Sequence, residues 1–407
     1  IGVLQLFNAR MEDMEAVIPF ERESVRFVES LAAQAAIALN NQQLLEAQRN
    51  LFNALIQMLA GAIDAKSPYT GGHCERVPEV ATLLAQAASD KREGPFAGYR
   101  LDSEDAWREF RVAAWLHDCG KVTTPEYVVD KATKLETIYN RIHEIRTRFE
   151  IMWRDAEIEY LQKQLEGTHL ESDLQAKLKQ EQAWIRDAFA FVAQCNVGGE
   201  FMADEKVERL QEIAQRTWVR HLDDRLGLSQ EEEARMSAEP ARALPAEENL
   251  LADQSYHLIP RGEKNPFDGN PYAFKMDIPE HLYNHGELYN LVIRKGTLTD
   301  EERFKINEHI TQTIIMLNKL PFPDYLMQVP EFAGAHHETM TGTGYPKRLQ
   351  KEDMSISARI MAIADIFEAL TAADRPYKKA KTLSEALRIM SFMRNDQHID
   401  AELFDLF

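Results

Sequence analysis

The feature that most constrains this chain is the placement of ionisable side chains inside apolar, helix-forming segments. His117 and Asp118 follow an apolar run in AWLHDCGK, and Asp365 lies within the apolar segment IMAIADIFEAL. Burying an aspartate without a partner costs several kcal/mol, comparable to what a metal ion or an ion pair would have to offset. A cation shared between these segments offsets that cost most simply, so we expect the fold to bring them together.

His336 and His337 form a third feature of this kind, inside AHHETMTGTGYP. Taken singly, each feature has a plain structural explanation, since a buried histidine is commonly hydrogen-bonded in a core and a helical aspartate is commonly a cap. Taken together, imidazole and carboxylate groups suit divalent Fe, Mn, Zn or Ni. The sequence contains no cysteine cluster, which argues against a structural zinc site. We therefore predict a catalytic metal site, with iron expected first, manganese next, and nickel or zinc also compatible.

Length and charge limit the remaining possibilities. The 407 residues predict two or three structural units, and 66 acidic against 47 basic residues give a net charge of −19. Such a charge repels polynucleotides and anionic membrane surfaces at long range, which makes a nucleic acid polymer an unsuitable partner. A small anionic ligand remains possible, because metal ions and a few basic side chains can reverse the potential within one pocket.

Cysteine usage and hydropathy predict a cytoplasmic location. Cys74, Cys119 and Cys195 are widely spaced and form no disulfide framework. The longest apolar stretch, Leu31 to Leu39, has about half of the ~20 residues that a spanning helix needs, so no membrane segment is expected. Because the chain opens on Ile1 with a strand-like run, we expect it to be part of a longer protein.

The N-terminal segment reads as a β-strand over Ile1 to Asn8, followed by a long helix over 21–64. Apolar residues recur along that helix, and Leu45, Phe52 and Leu59 follow one another at sevenfold spacing. This spacing fits a parallel dimer seam, and it fits packing against the same domain as well. We expect a homodimer through this helix.

The remaining chain is predicted to be mainly helical. From Leu135 to about Glu248 the sequence is strongly charged with sparse apolar positions, which indicates an extended helical arm rather than a second compact core. Pro260 to Pro279 should be a loop. Thr299 and Glu302 form a capping box that opens a helix through Leu320, which carries His309, and a further helix is predicted over Ser357 to Ala372.

Several separated motifs in this chain resemble the HD-GYP family. They are His117-Asp118, Gly120-Lys121, His336-His337-Glu338, Gly342, Gly344-Tyr345-Pro346 and Asp374-Arg375-Pro376-Tyr377, together with YTGGHCERV around His73. The resemblance covers about residues 52–134 and 290–407. It implies a mainly α, HD-type helical bundle, here with a long, largely helical insertion over about 136–288.

The resemblance also implies a binuclear centre of divalent metals. Its ligands would be His73, His117, Asp118, His309, His336, His337 and Asp365. Asp118 would bridge the two metals, a hydroxide between them would attack phosphorus in line, and Lys121 would steady the phosphate. From the residues alone, Lys121 can also be read as a lysine at a helix C-terminus beside Gly120.

Substrate contacts are implied for Tyr345, Arg375 and Lys378, in addition to Lys121. For Tyr345, the alternative is that Thr341 to Pro346 form a plain surface turn. Three departures from the family pattern concern the site and its surroundings. Tyr69 replaces a glutamate that supports a third metal in some members, so two metals are expected. Thr341 stands where an aspartate is common, and the insertion splits a segment that is usually continuous.

The start of the chain resembles the last strand and final helix of a GAF sensory domain, in IGVLQLFNA and FERESVRFVESLAAQAAIALNN. We therefore predict a GAF-like α/β remnant and signalling helix over 1–48 and the catalytic domain over 49–407. A signal from upstream would pass into the bundle by a shift of this helix.

The function that the resemblance implies is hydrolysis of cyclic di-GMP to the linear dinucleotide pGpG, and onward to GMP, in signal transduction. Hydrolysis of 3′,3′-cyclic GMP-AMP is the nearest alternative. A nucleotide phosphohydrolase of the wider HD superfamily is disfavoured by the Gly344-Tyr345-Pro346 loop. A non-catalytic cyclic dinucleotide receptor would be favoured by missing metal ligands, and every ligand position is filled.

Overall fold

The computed structural model describes residues 3–10, 17–66, 72–199, 201–262, 265–372 and 380–407. The chain divides into two compact units, Ile1–Gly61 and Ala62–Phe407. Helices dominate the described residues, so the predicted mainly α fold is confirmed. The described residues include no helix that is both long enough and apolar enough to cross a membrane.

The N-terminal unit contains most of helix α1 (Arg22–Lys66). The predicted strand over Ile1 to Asn8 is wrong for residues 3–8, which have no regular secondary structure. A strand is stabilised by hydrogen bonds to neighbouring strands, and the described part of this unit offers only an isolated bridge between Arg10 and Val17. The GAF-like interpretation of this segment therefore stays a prediction.

The second unit begins with helices that lead to the His117-Asp118 pair. They are α2 (His73–Ser89), α3 (Glu104–Leu116) and the short α4 (Glu126–Val129), with 3₁₀ turns at Gly94–Phe96 and Cys119–Thr123. Ser103 caps α3 by accepting a hydrogen bond from the Ala106 N–H. The turn at Gly94–Phe96 separates α2 from α3.

The insertion follows α4 and contains helices and two small hairpins. In chain order its elements are α5 (Ile142–Glu166), α6 (Glu171–Asn196), α7 (Asp204–Ala214), β1 (Thr217–Arg220), α8 (Gln230–Met236), β2 (Ala246–Asn249), β3 (Leu258–Pro260), β4 (His281–Asn284) and α9 (Glu287–Leu291). Strands β1 and β2 pair antiparallel, with Thr217 opposite Asn249. Strands β3 and β4 form the second antiparallel pair.

The prediction that the charged segment after Leu135 is an extended arm without a compact core is wrong. Ile145 and Phe149 of α5 are buried in one cluster with Val192 of α6 and Leu210 of α7. The apolar positions are sparse because each helix hides only one stripe and exposes its charged face. Since several such stripes converge, the insertion has a hydrophobic core of its own.

Two buried lysines hold the ends of the insertion together. The Lys134 ammonium donates hydrogen bonds to the Leu291 and Ile293 carbonyls, each at 2.8 Å. The Lys131 ammonium contacts the Asn290 side chain at 3.1 Å and the Glu302 carboxylate at 2.7 Å. We call these contacts the neck. Because entry and exit lie side by side there, the insertion interrupts the sequence of the helical bundle without separating its two halves.

The chain after the insertion supplies the other half of the bundle. Its helices are α10 (Asp300–Asn307), α11 (His309–Asn318), α12 (Val329–Gly334), α13 (Ile356–Thr371), α14 (Leu383–Asn395) and α15 (Ala401–Leu406). The Thr299–Glu302 capping box is confirmed. The single helix predicted through Leu320 is instead two helices that meet at Glu308, so that His309 begins α11.

Small side chains allow close packing in this bundle. Ala81, Ala85 and Ala88 of α2 are buried in the same cluster as Ile360 and Ala364 of α13. Alanine stripes let two helices approach until their backbones nearly touch, which fixes the relative positions of side chains at their ends. His73 begins α2 and Asp365 lies on α13, so this packing positions two of the predicted ligands.

The neck generates a stability prediction. The Lys131→Ala substitution should destabilise the protein by about 3–5 kcal/mol, because it leaves the buried Glu302 carboxylate without its cation. Chemical denaturation followed by circular dichroism would measure the change. The matched control is Lys163→Ala, which removes an exposed lysine paired with Glu159 on α5 and should cost less than about 1 kcal/mol. Equal losses in the two variants would contradict a structural role for the neck.

Candidate metal centre

The His117-Asp118 pair lies where α3 ends and the chain turns into the 3₁₀ segment Cys119–Thr123. His117 is fully buried and Asp118 is 1% exposed. An apolar helix thus carries both groups into the interior and stops there. Any charge on Asp118 must be compensated by neighbouring groups, because bulk water does not reach it.

Three histidines at the site are oriented in the same way. Each places its Nδ1 atom against the carbonyl oxygen of the residue three positions earlier. The contacts are His117 to Ala114 at 2.8 Å, His309 to Ile306 at 2.6 Å and His336 to Ala333 at 2.8 Å. In a neutral ring that donates from Nδ1, the Nε2 atom carries a lone pair. When these rings are neutral, their Nε2 lone pairs could therefore bind a cation.

His73 is oriented by a carboxylate instead. Its Nδ1 atom is hydrogen-bonded to Glu368, and its Nε2 atom lies 3.1 Å from the Asp118 carboxylate and 3.2 Å from the Asp365 carboxylate. A histidine held between a carboxylate on one side and a metal on the other is a common arrangement in metalloproteins.

The structure brings all seven predicted ligands into two adjoining groups. One group is His73, His117, Asp118 and Asp365, and the other is His309, His336 and His337. Within each group, the potential ligand atoms lie within 4.8 Å of one another. Each group therefore has the donor types and the spacing to hold one divalent ion.

Asp118 lies between the two groups. Its Oδ2 atom faces His73 and lies 3.2 Å from the His117 Nε2 atom, whereas its Oδ1 atom lies 3.2 Å from the His309 Nε2 atom. The His309 Nε2 atom is also 3.2 Å from the His337 Nε2 atom. If the Nδ1 proton of His309 is donated to Ile306, these facing atoms are all acceptors, and a cation between them would relieve the repulsion.

The buried polar atoms fit a cation as well. Among the residues that the structure describes, the Nε2 atoms of His117 and His336 and the Oδ1 atom of Asp118 are buried without a hydrogen-bond partner. Native proteins rarely leave such atoms unsatisfied, and a bound ion is one of the standard explanations. Nitrogen and oxygen donors of this kind match first-row divalent metals rather than Mg²⁺ or Ca²⁺.

The pKa shifts in the first group show that its buried carboxylates require positive charge nearby. Burial disfavours a charged His73, yet hydrogen bonds to Asp118, Asp365 and Glu368 raise the pKa of His73 to about 11. Burial likewise opposes ionisation of Asp118, but Lys121 and His117 lower the pKa of that carboxyl well below its usual range. Protons on the imidazoles neutralise the carboxylates here, and a divalent cation would replace those protons.

His336 and His337 of the second group are already in the form that binds metal. Burial and the neighbouring His117 lower the pKa of His336 to about 4. Burial and His336 lower the pKa of His337 well below its usual range. Both imidazoles are therefore neutral at physiological pH, as metal ligation requires.

Gly120 permits the close approach on which the second group depends. A Cβ atom at this position would lie 1.9 Å from the His309 carbonyl oxygen and 2.6 Å from the Thr313 backbone nitrogen. The Gly120 N–H donates to the Thr313 hydroxyl at 2.9 Å. No side chain fits between the turn and α11, so glycine is what allows His309 to reach Asp118.

Lys121 points into the centre. Its ammonium contacts the Asp118 carboxylate, and its side chain remains 27% exposed. Lys66 stabilises the same turn from outside, because its ammonium contacts the carbonyls of Lys121 and Val122 at 3.1 and 2.6 Å. A partly exposed ammonium beside the buried carboxylate can meet an anion that arrives from solvent.

The loop after the two histidines packs against them. The Tyr345 ring is stacked on the His337 ring, with centroids 4.9 Å apart and an angle of 18° between the planes. Glu338 accepts hydrogen bonds from the Lys347 and Leu349 backbone N–H groups at 2.7 and 2.9 Å. A Cβ atom at Gly344 would lie 2.5 Å from the Glu338 Cα atom, so the loop folds back closely on the ligand segment.

The Thr341 departure leaves the ligands in place. Its hydroxyl lies 3.0 Å from that of Thr343, which in turn lies 3.0 Å from that of Thr339. Three threonine hydroxyls thus hold the loop together. Three other predicted positions, Tyr69, Arg375 and Lys378, lie outside the described residues.

Sequence reasoning missed the role of Glu368. This residue is 3% exposed, orients His73, and pairs with the Arg76 guanidinium at 2.5 Å. Burial disfavours its charged form, but His73 and Arg76 lower the pKa of the Glu368 carboxyl below its ordinary value. The available signal was its position three residues after Asp365, which places both carboxylates on one face of α13.

A cleft opens beside the Tyr345 loop. Its volume is about 560 Å³, and its walls include Lys275, Arg303, Tyr345 and Arg348. The Lys275 N–H donates to the Pro346 carbonyl at 2.7 Å. The insertion therefore contributes a wall of the cleft, and sequence reasoning predicted neither this nor the roles of its basic residues.

Comparison with known proteins agrees with this site. Residues 245–403 match the HD domain family. The 3′3′-cGAMP-specific phosphodiesterase 1 of Vibrio cholerae is 37% identical over 128 residues, which cover 31% of this chain and 29% of that protein. The cyclic di-GMP phosphodiesterase PA4108 of Pseudomonas aeruginosa is 34% identical over 133 residues, which cover 33% of this chain and 29% of that protein.

A third relative is a cyclic di-GMP phosphodiesterase of Thermotoga maritima, 38% identical over 98 residues that cover 24% of this chain and 26% of that protein. The chain spans less than a third of the length of these curated relatives. Together with the site, the comparisons define a protein with a metal-binding HD domain. Its His117-Asp118 pair and its Gly344-Tyr345-Pro346 loop are similar to the motifs of the HD-GYP family.

The role of Glu368 can be tested by metal binding alone. The Glu368→Gln substitution should weaken binding of Mn²⁺ by about 10–100-fold, because His73 loses the carboxylate that orients it. Electron paramagnetic resonance of free Mn²⁺ during a titration would measure this affinity. Glu352→Gln is the matched control, since Glu352 is exposed, and its affinity should equal that of the parent protein. Unchanged affinity in Glu368→Gln would show that the contact is only structural.

Proposed function

We propose that this protein is a metal-dependent phosphodiesterase that hydrolyses a cyclic dinucleotide second messenger. The observation that carries the proposal is the Asp118 carboxylate, which lies between two groups of side chains that could each hold a metal ion. A phosphodiester is anionic and a poor electrophile, so its hydrolysis needs concentrated positive charge and an activated water. This site is built for both.

Two divalent cations are part of the proposal, with His73, His117 and Asp365 holding one, His309, His336 and His337 the other, and Asp118 bridging them. When bound, the cations would lower the pKa of a shared water and neutralise charge on the phosphate oxygens. Iron is the metal we propose first and manganese the next. The mixed imidazole and carboxylate donor set supports both.

The residues around the centre would position the substrate. Lys121 would donate from its ammonium to a non-bridging phosphate oxygen, since that group already contacts Asp118 at the edge of solvent. Tyr345 would present its ring and hydroxyl from the wall of the cleft. Arg303 and Arg348 line the same cleft and would contact the second phosphate or the purine edges. Arg375 and Lys378 are proposed substrate contacts from the sequence resemblance.

Cyclic di-GMP is the substrate we propose, with pGpG and then GMP as products. Two of the relatives described above are named as cyclic di-GMP phosphodiesterases. A specific observation supports 3′,3′-cyclic GMP-AMP as a second candidate, because three relatives from Vibrio cholerae, at 37–40% identity, are named as phosphodiesterases specific for it. A complete set of metal ligands favours hydrolysis over a receptor role for this chain.

The catalytic proposal predicts the effect of ligand removal. The His117→Ala and Asp365→Ala substitutions should each lower kcat for hydrolysis by at least ~10³-fold, because loss of a ligand removes several kcal/mol of charge stabilisation. Purified protein loaded with Fe(II) or Mn(II) would be assayed side by side on cyclic di-GMP and 3′,3′-cyclic GMP-AMP, with products separated by chromatography. Circular dichroism would check that helix content is unchanged.

The matched control is His143→Ala, since His143 is an exposed histidine on the insertion, and its kcat should equal that of the parent protein. Turnover that persists in either ligand variant would rule out the proposed metal assignment. If the metal-loaded parent protein cleaved neither dinucleotide, the hypothesis of a non-catalytic cyclic dinucleotide receptor would replace the phosphodiesterase proposal.

We also propose that two copies of the chain associate through α1. Leu31, Leu45 and Leu59 are 47%, 60% and 51% exposed on this helix. Such a row of exposed leucines is typical of a helix that packs against another helix. The upstream GAF-like remnant would pass its signal through this helix. A cytoplasmic location is proposed from the cysteines, since Cys74, Cys119 and Cys195 are all unpaired.

The dimer proposal predicts a change of oligomeric state. The Leu45→Glu substitution should convert a dimer to a monomer, because it places two carboxylates opposite each other in an apolar seam. Sedimentation equilibrium of the full chain would measure the mass. Gln43→Glu introduces the same charge two residues away, off the seam, and should leave the dimer intact. A parent protein that sediments as a monomer would contradict the proposal.

A further inference from the structure

A second cavity system lies within the insertion, and its walls are rich in arginine. One cavity of about 310 Å³ is lined by residues that include Arg141, Arg148, Arg235 and His257. A neighbouring cavity of about 190 Å³ adds Arg220, Arg225 and Arg242. Arg148 and His257 line both cavities, so the two meet along a shared wall. None of the proposed metal ligands lines either cavity.

Some of these arginines have partners and some N–H groups do not. Arg148 pairs with Glu287 at 2.7 Å, and Arg220 pairs with Glu248 at 3.0 Å. In contrast, the Nη2 atom of Arg141 and the Nε atoms of Arg225 and Arg235 are buried without a hydrogen-bond partner. Within the described residues, buried atoms of this kind also occur at the metal centre, where a ligand explains them.

The cavities are lined by as many carboxylates as arginines, six of each, and most of these carboxylates have a partner. Asp224, which lines both cavities, pairs with Arg220 at 3.0 Å. Glu287 is held by Arg148 and by the Ala252 N–H. Glu232 accepts from the Ser229 N–H at 2.9 Å as part of the capping box of α8. Glu144 accepts a hydrogen bond from the Tyr139 hydroxyl. These carboxylates therefore leave unpaired guanidinium N–H groups at the cavities.

Burial and nearby basic side chains make a further positive charge at His285 unfavourable. Burial and the neighbouring Arg141, Lys131, His257 and Arg235 lower the pKa of His285 to about 4. Burial also lowers the pKa of Arg141, despite the more distant carboxylates of Glu287 and Glu302. The guanidinium N–H groups without a partner, rather than an excess of positive charge, are the groups that an anion would satisfy.

We propose that this arginine cavity binds a small organic phosphate of about the size of a mononucleotide. Three partnerless N–H groups on three separate segments suit a phosphate, which offers three strongly accepting oxygens in a tetrahedral arrangement. A volume of about 310 Å³ is sufficient for such a ligand. Tyr256 and Trp218 line the cavities and supply aromatic surface for a planar ring.

The test is calorimetric titration of the full, metal-loaded chain with 5′-AMP and, separately, with inorganic phosphate and citrate. The parent protein should bind 5′-AMP at the arginine cavity, more tightly than it binds inorganic phosphate. Arg235→Gln and Arg225→Gln should each weaken 5′-AMP binding by about tenfold, because each removes a charged donor. Arg154→Gln is the matched control, since Arg154 is an exposed arginine on α5 outside the cavities.

Binding at the metal centre is distinguished by the Asp365→Ala variant, which should retain full affinity at the arginine cavity. Circular dichroism would confirm that every variant is folded. Two separate arginine variants are used so that the test still holds if one of them does not fold. The proposal is overturned if the parent protein does not bind 5′-AMP, if affinity survives both arginine substitutions, or if only Asp365→Ala abolishes it. Tighter binding of citrate than of 5′-AMP would overturn the phosphate assignment.

Discussion

The Asp118 carboxylate is the constraint on which the candidate metal centre of this protein depends. It is buried at the end of α3, with imidazoles on both sides and an ammonium beside it. An isolated charge in that position would be too costly to bury, so α2 and α11 each deliver an imidazole. Helix α13 adds a second carboxylate, Asp365, which increases the need for a cation. The alanine stripe of α2 and the missing side chain of Gly120 follow from the same need, because they let those helices come close enough.

The neck explains how such a demanding site tolerates a long insertion. Lys131 and Lys134 bind groups that follow the insertion, which keeps the His117 segment beside the segment that carries His309. Buried lysines are expensive unless paired, and burial lowers the pKa of Lys134 to about 8. Because two such lysines lie at one junction, separating the entry of the insertion from its exit would cost a large free energy. The same insertion extends to the Tyr345 loop through Lys275, so it is close to the cleft as well as fixed to the bundle.

The candidate metal ligands could be predicted from the sequence because ionisable residues inside apolar segments are unusual. His117, Asp118 and Asp365 stand out against apolar neighbours, and the Thr299 capping box marks its helix directly. The compact core of the insertion could not be predicted in this way. Each helix there contributes only a narrow apolar stripe, and the stripes form a core only where they meet in the folded structure. Glu368 and Arg303 were missed for a related reason: a single charged residue on a helix is ordinary until tertiary contacts show what it faces.

The arginine cavity and the metal centre are connected by a short series of buried contacts. Arg141 donates to the Leu135 carbonyl at 3.2 Å and contacts the carbonyl of His285. Leu135 follows the neck residues Lys131 and Lys134, and Lys131 binds Glu302 on α10, which leads directly into His309. Displacement of the Arg141 side chain would therefore act on the segment that links both halves of the catalytic bundle.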